Sequence, residues 1–199
     1  LAGLAPAEGL TIDGGAPLAG LGAATFGGED FNGDGIADIV ASSYGVSVSG
    51  DVFVIFGNNA GLTGPADTNG LDGTNGFRAT GLAASEFLGS SISMADLDGD
   101  GLSDLVIGAS GALSGNGSVF VVKGAANTAA AVDVTALNGA DGFRIDGLGI
   151  GDQLGASVSN AGDFNGDGYQ DIVAPREFQV LDIPLCQRSL TASILFVFS

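Results

Sequence analysis

Apolar residues in this chain fall into short runs rather than long stripes. The runs at 52–56 (Val-Phe-Val-Ile-Phe) and 119–122 (Val-Phe-Val-Val) are β-branched and aromatic, and Gly57 and Gly124 follow them. Shorter runs, Ile39-Val40, Leu105-Val106-Ile107 and Ile172-Val173, each follow an aspartate. Clusters of Gly, Asn, Asp and Ser bound the runs, which is the pattern of strands joined by turns. No stretch sustains an apolar period of 3.6 residues, so few helices are expected. Around the middle of the chain this reading gives four strands, at residues 90–95, 104–109, 118–123 and 142–145.

The pattern repeats. Leu71, Gly76, Phe77, Arg78, Gly81, Leu82, Leu88 and Gly89 recur 66 residues later as Leu137, Gly142, Phe143, Arg144, Gly147, Leu148, Leu154 and Gly155. Ile12-Asp13-Gly14 matches Ile145-Asp146-Gly147 two periods on. Four strands per period is the size of one propeller blade. The fold expected is therefore all-β, with propeller blades of four antiparallel strands in an incomplete ring. Its parts are the end of a preceding blade (1–14), a first repeat (15–81), a second (82–147), a partial third (148–175) and a non-repeat tail (176–199).

An acidic nonapeptide marks each period: DFNGDGIAD from Asp30, DLDGDGLSD from Asp96 and DFNGDGYQD from Asp163. Oxygen-bearing side chains stand at positions 1, 3, 5 and 9, with glycines at 4 and 6. Calcium takes six to eight oxygens from a tightly turned loop, which suits this spacing. The ligands expected in the first loop are Asp30, Asn32, Asp34 and Asp38, with the Ile36 carbonyl. In the second they are Asp96, Asp98, Asp100 and Asp104, with the Leu102 carbonyl. In the third they are Asp163, Asn165, Asp167 and Asp171, with the Tyr169 carbonyl. About three calcium ions are implied. An EF-hand would need Glu at position 12, where Ala41, Ile107 and Ala174 stand instead. A plain Asp-Gly turn needs two favourable residues, not four acceptors repeated three times. The second loop alone carries four aspartates, and ligand charge tunes affinity, so it is expected to bind most tightly.

These units resemble FG-GAP repeats, the blades of the integrin alpha-subunit propeller and of many bacterial surface and secreted proteins. The first family element is Leu21-Gly22, Phe87-Leu88-Gly89 and Leu154-Gly155; the second is clearest as Gly108-Ala109-Ser110. The resemblance covers about residues 11–175. It implies that each loop joins the first two strands of a blade and holds one calcium ion on one rim.

Composition narrows the function. The net charge is −18, yet ten of the 19 aspartates sit in the three loops. Five Lys and Arg are too few for a nucleic-acid partner. There is no His, which removes Ser-His-Asp, Cys-His and His-zinc chemistry. Glu8, Glu29, Glu86 and Glu177 show no pairing signal for glycoside chemistry. No apolar run is long enough to span a membrane. Asn116-Gly117-Ser118 matches a glycosylation sequon, in a chain rich enough in Asn, Gly and Ser for chance to supply one.

Arg78 and Arg144, one period apart, suggest a blade-to-blade salt bridge, and Phe77, Phe87 and Phe143 filling between blades. The last 31 residues contain no glycine but the only cysteine, Cys186, and residues 194–198 read as an aggregation-prone apolar strand. The function expected is a non-enzymatic, calcium-binding segment of an extracellular adhesion or interaction protein, with a protein or glycan ligand. The alternative is an accessory module of a secreted phospholipase or polysaccharide-degrading enzyme whose catalytic domain lies elsewhere.

Overall fold

The computed structural model describes residues 11–13, 20–45, 48–59, 66–176 and 193–197. In chain order its strands are β1 (Ile12–Asp13), β2 (Leu21–Gly27), β3 (Ile39–Gly45), β4 (Val48–Ile55), β5 (Ala66–Asp67), β6 (Gly76–Thr80) and β7 (Leu88–Ala95). They continue with β8 (Asp104–Ala109), β9 (Ser118–Val122), β10 (Ala131–Asp133), β11 (Gly142–Asp146), β12 (Ser159–Gly162), β13 (Asp171–Arg176) and β14 (Ser193–Val197). The expected four strands around the second loop are present as β7, β8, β9 and β11.

Two antiparallel meanders, β2-β3-β4-β6 and β7-β8-β9-β11, are successive propeller blades. A third sheet orders β12-β13-β14. No closed ring forms among the described residues. Strands β2, β3 and β4 lie against β7, and β12 also lies against β7, so the sheets follow one another face to face.

The middle sheet is buried on both faces. Along β8 and β9, Leu105, Ile107, Ala109, Phe120 and Val122 join Val52, Val54 and Phe77 of the first blade in one core. The alternate residues Val106, Val119 and Val121 join Leu154, Val158, Ile172 and Ala174 in a second core. Successive strand side chains point to opposite faces, so a sheet covered on both sides reads as an unbroken apolar run. That is why 119–122 shows no alternation in sequence.

The blades are also joined through backbone. β10 pairs in parallel with the outer strand β6 of the blade before it, Ala131 against Arg78 and Asp133 against Thr80. One period earlier β5 pairs in parallel with β1, Ile12 against Ala66 and Asp13 against Asp67. Each of these straps ends in an aspartate whose carboxylate accepts from the N–H two residues on, Asn69 or Thr135, at 2.9 Å. Glycine is required where strands of adjacent blades approach. Gly50 (φ +90) and Gly117 (φ +77) occupy equivalent places, and a Cβ there would fall on the backbone of Leu88 and Leu154 respectively.

Some expectations change. Arg78 does not bridge blades: its Nε lies 3.9 Å from Asp51 Oδ1 on a strand of its own sheet. Arg144 pairs at 2.8 Å with Asp146, two residues along the same strand. Side chains two apart on a strand share a face, so the nearest carboxylate is a local one. Phe77 fills the core shared by the first two blades, Phe143 packs half-buried on the second core, and Phe87 is half-buried at φ 56. Residues 193–197 of the tail pair antiparallel with β13 as the third strand of its sheet. Glu8, Glu177, Cys186 and Phe198 lie outside the described residues.

Candidate metal centre

Each nonapeptide folds by bonding its side chains to its own backbone. In the first loop Asp30 accepts the N–H groups of Gly33 and Gly35, both at 2.7 Å. Asn32 Oδ1 accepts from Asp34 N–H at 3.1 Å, and Asp34 Oδ1 from Ile36 N–H at 2.8 Å. The second loop repeats this with Gly99 and Gly101 on Asp96, Asp100 on Asp98, and Leu102 on Asp100. The third repeats it with Gly166 and Gly168 on Asp163, Asp167 on Asn165, and Tyr169 on Asp167. Short acidic and amide side chains bend the chain back in this way, and glycines at positions 4 and 6 take the positive φ.

The first three acidic positions of the second loop converge. Ligand oxygens of Asp96, Asp98 and Asp100 lie within 4.8 Å of one another, a group that could hold a metal ion. Asp98 and Asp100 are exposed and Asp96 is half-buried, so the group opens to solvent. Hard carboxylate oxygens on a turned loop fit calcium in donor chemistry. Asp104 is not in that group.

The ninth position of each loop lies deeper than its third and fifth. Asp38, Asp104 and Asp171 are buried. Asp38 accepts from Phe31 N–H at 2.8 Å and Gly57 N–H at 2.9 Å, one on each oxygen. Asp104 accepts from Leu97 N–H at 3.0 Å and Gly124 N–H at 2.9 Å. Each thus fastens the start of its loop to the glycine that ends the blade's third strand. Burial raises the Asp38 carboxyl above its usual pKa and pushes Asp104 up to about 6, against the opposing pull of those N–H groups. Asp171 Oδ2 accepts from Phe164 and Asn165 N–H at 2.8 and 3.2 Å, while its buried Oδ1 has no donor among the described residues.

The loops stand side by side along one rim. Ser103 N–H donates to the Asp30 carbonyl at 2.9 Å, and Gln170 N–H to the Asp96 carbonyl at 3.1 Å. The Leu102 side chain covers Gly33 and the Tyr169 ring covers Gly99, so a Cβ at position 4 would strike the next loop. Glu29 accepts from Ser103 Oγ at 3.2 Å, which gives it a place between loops rather than on a free turn.

The sequence reading passed over Lys123. Its Nζ lies 3.0 Å from Asp98 Oδ2, and that carboxylate holds the ammonium above its usual pKa. The available signal was its position directly before the recurring Gly124, where the first unit has Phe56 before Gly57. The sequon at Asn116 is tied up: Ser118 is buried on Asp146 at 2.8 Å, and Asn116 Nδ2 donates to the Gly147 carbonyl. No helix among the described residues is long and apolar enough to cross a membrane, which says nothing of a β-barrel.

The family described as FG-GAP repeat matches residues 88–122 and 154–178, that is, from the inner strand of the second blade to its third, and again one period on. Phosphatidylinositol-glycan-specific phospholipase D of Rattus norvegicus is 33% identical over 158 residues, covering 75% of this chain and 18% of that protein. The enzyme of the same name from Mus musculus is 38% identical over 104 residues, 48% of this chain and 12% of that protein. The chain therefore spans less than a fifth of the length of these relatives. The loops, their period and the four-stranded sheets agree with the match: this chain is a segment of FG-GAP repeats, folded as propeller blades.

Proposed function

We propose that this segment is a calcium-stabilised propeller module that accompanies a catalytic domain in a longer secreted protein and is not itself catalytic. The observation that carries this is the similarity of three quarters of the chain to a part of one phospholipase, and of about half of it to a part of a second. It favours the accessory module over the adhesion protein. The catalytic chemistry would then be supplied outside these residues, in keeping with a chain that has no His. Fold alone does not assign function, so the whole gene product is the proper object of the test. That product should cleave a phosphatidylinositol-glycan anchor, and the 199-residue segment alone should not. Turnover by the segment alone, or neighbouring domains with only surface anchors and further repeats, would refute the module reading.

In this reading calcium is held in each loop by the side chains at positions 1, 3 and 5 and the seventh carbonyl, with the ninth aspartate as a further ligand or as the anchor that aims them. The residues are Asp30, Asn32, Asp34, Ile36 and Asp38; Asp96, Asp98, Asp100, Leu102 and Asp104; and Asp163, Asn165, Asp167, Tyr169 and Asp171. Calcium neutralises a rim whose ten loop aspartates otherwise repel one another. Magnesium, which keeps most of its water, is a poor substitute. Native mass spectrometry should find about three calcium ions per chain, and no uptake at millimolar calcium would sink the assignment.

A further inference from the structure

We infer that Lys123 is a built-in counter-cation of the second loop, which brings that loop to the same net charge as the other two and lowers its affinity for calcium. The inference rests on the calcium reading of the loops. Lys123 is the only lysine in the chain. It precedes Gly124, whose N–H is fixed on Asp104 at 2.9 Å, and its ammonium reaches Asp98, the third position of the loop, at 3.0 Å. The residue in the same place in the first unit is Phe56, which stacks on Phe31 with ring centroids 6.2 Å apart. There the third position of the loop is the neutral Asn32, and in the third loop it is Asn165.

The aspartate that sets the second loop apart and the lysine that offsets it thus occur together. The first and third loops carry three carboxylates each; the second carries four carboxylates and one ammonium. All three come to the same formal charge. Both Lys123 and Asp98 side chains are about one-third exposed, at 33% and 34%, so a cation from solvent can reach the pair. Without metal, the ammonium relieves repulsion within the group of Asp96, Asp98 and Asp100. With metal, it faces a divalent ion across a shared carboxylate and weakens binding. A unit charge some 6 Å from a divalent ion in a water-like dielectric changes affinity by roughly tenfold. The second loop, tightest by aspartate count, is therefore brought back toward the others.

The test is a calcium titration of the full chain followed by the backbone amides of Gly35, Gly101 and Gly168. Each donates to the first aspartate of its own loop, at 2.7, 3.1 and 3.1 Å, and so reports one site. Lys123→Met should move the Gly101 midpoint to roughly tenfold lower calcium while Gly168 stays in place. Adding Asp98→Asn to that variant should return Gly101 to within about twofold of the starting protein, since both charges are then gone. In chelator, Lys123→Met should lower the thermal midpoint. Lys123→Gln, which keeps a polar tip without charge, serves if the methionine variant folds poorly. A Gly101 midpoint that moves normally in the starting protein but is unchanged in both variants would overturn the inference. A Gly101 amide that never responds to millimolar calcium in the starting protein would instead remove the calcium reading, and this inference with it.

Discussion

The first and third loops have nearly the same local sequence and share most of their internal hydrogen bonds, yet they are anchored very differently. Position 2 is Phe31 in the first loop, fully buried against Phe77 with ring centroids 5.0 Å apart. In the third it is Phe164, 63% exposed. Position 9 is Asp38 in the first loop, both oxygens bound, one by Gly57 at the end of the blade's third strand. In the third it is Asp171, bound on Oδ2 alone among the described residues. Counting the same 19 or 20 residues on from Asp171 leads to Leu190 and Thr191, not to a glycine. The contrast separates two contributions. The turn is made by nine residues acting locally, whereas its rigidity comes from a completed blade and from the blade that follows.

The largest test of that contrast is at position 2. Phe31→Ala should destabilise the chain by about 3–5 kcal/mol in urea unfolding, as for a large core truncation. Phe164→Ala should cost under about 1 kcal/mol, since most of that ring is already in water. Comparable losses would mean that the third loop is as deeply anchored as the first.

Position 9 gives the next effect. In chelator, so that no ion contributes, Asp38→Ala should cost about 3 kcal/mol by leaving two N–H groups on separate segments without a charged acceptor. Asp171→Ala should cost about half as much, because the N–H groups it serves are adjacent in one loop. Denaturant midpoints of the two variants decide this, and a larger loss at Asp171 would reverse the argument.

A smaller effect is expected in metal affinity. An ion that must also order its loop binds more weakly, and about 1.4 kcal/mol of ordering corresponds to tenfold. The Gly168 amide should therefore respond at roughly tenfold higher calcium than Gly35. The smallest effect concerns the two arginines. Both are nearly half exposed, so Arg78→Ala and Arg144→Ala should each cost under about 0.5 kcal/mol in thermal unfolding, with the difference lost in high salt.

The sequence carried the turns and the strands because both write themselves locally. Glycine at positions 4 and 6 and side-chain oxygens between them are a complete recipe for the loop, and runs such as 119–122 are complete strands. What it did not carry depends on residues far apart in the chain. Asp38 and Asp104 read as ligands by spacing, and only the folded blade brings Gly57 and Gly124 onto them. Ala131-Val132-Asp133 has no strand signal of its own and becomes a strand because β6 offers it an edge. Arg78 found a partner inside its blade, and Lys123 found Asp98 across 25 positions of sequence. The third strand of the third sheet, β14, follows a segment in which the repeat had already lost its pattern.

The parallel straps have a consequence for how such a chain unfolds. A blade's outermost strand is covered by residues that belong to the next unit of sequence, so no unit is finished by its own residues. Stability then passes along the array as nearest-neighbour terms, in the manner of a one-dimensional lattice, and unfolding should begin where the lattice has a free end. Among the described residues the outer edge of β11 pairs with β9 on one side only. Hydrogen exchange should be slowest in β8 and β9, enclosed on both faces, and faster at the outer edge of β11.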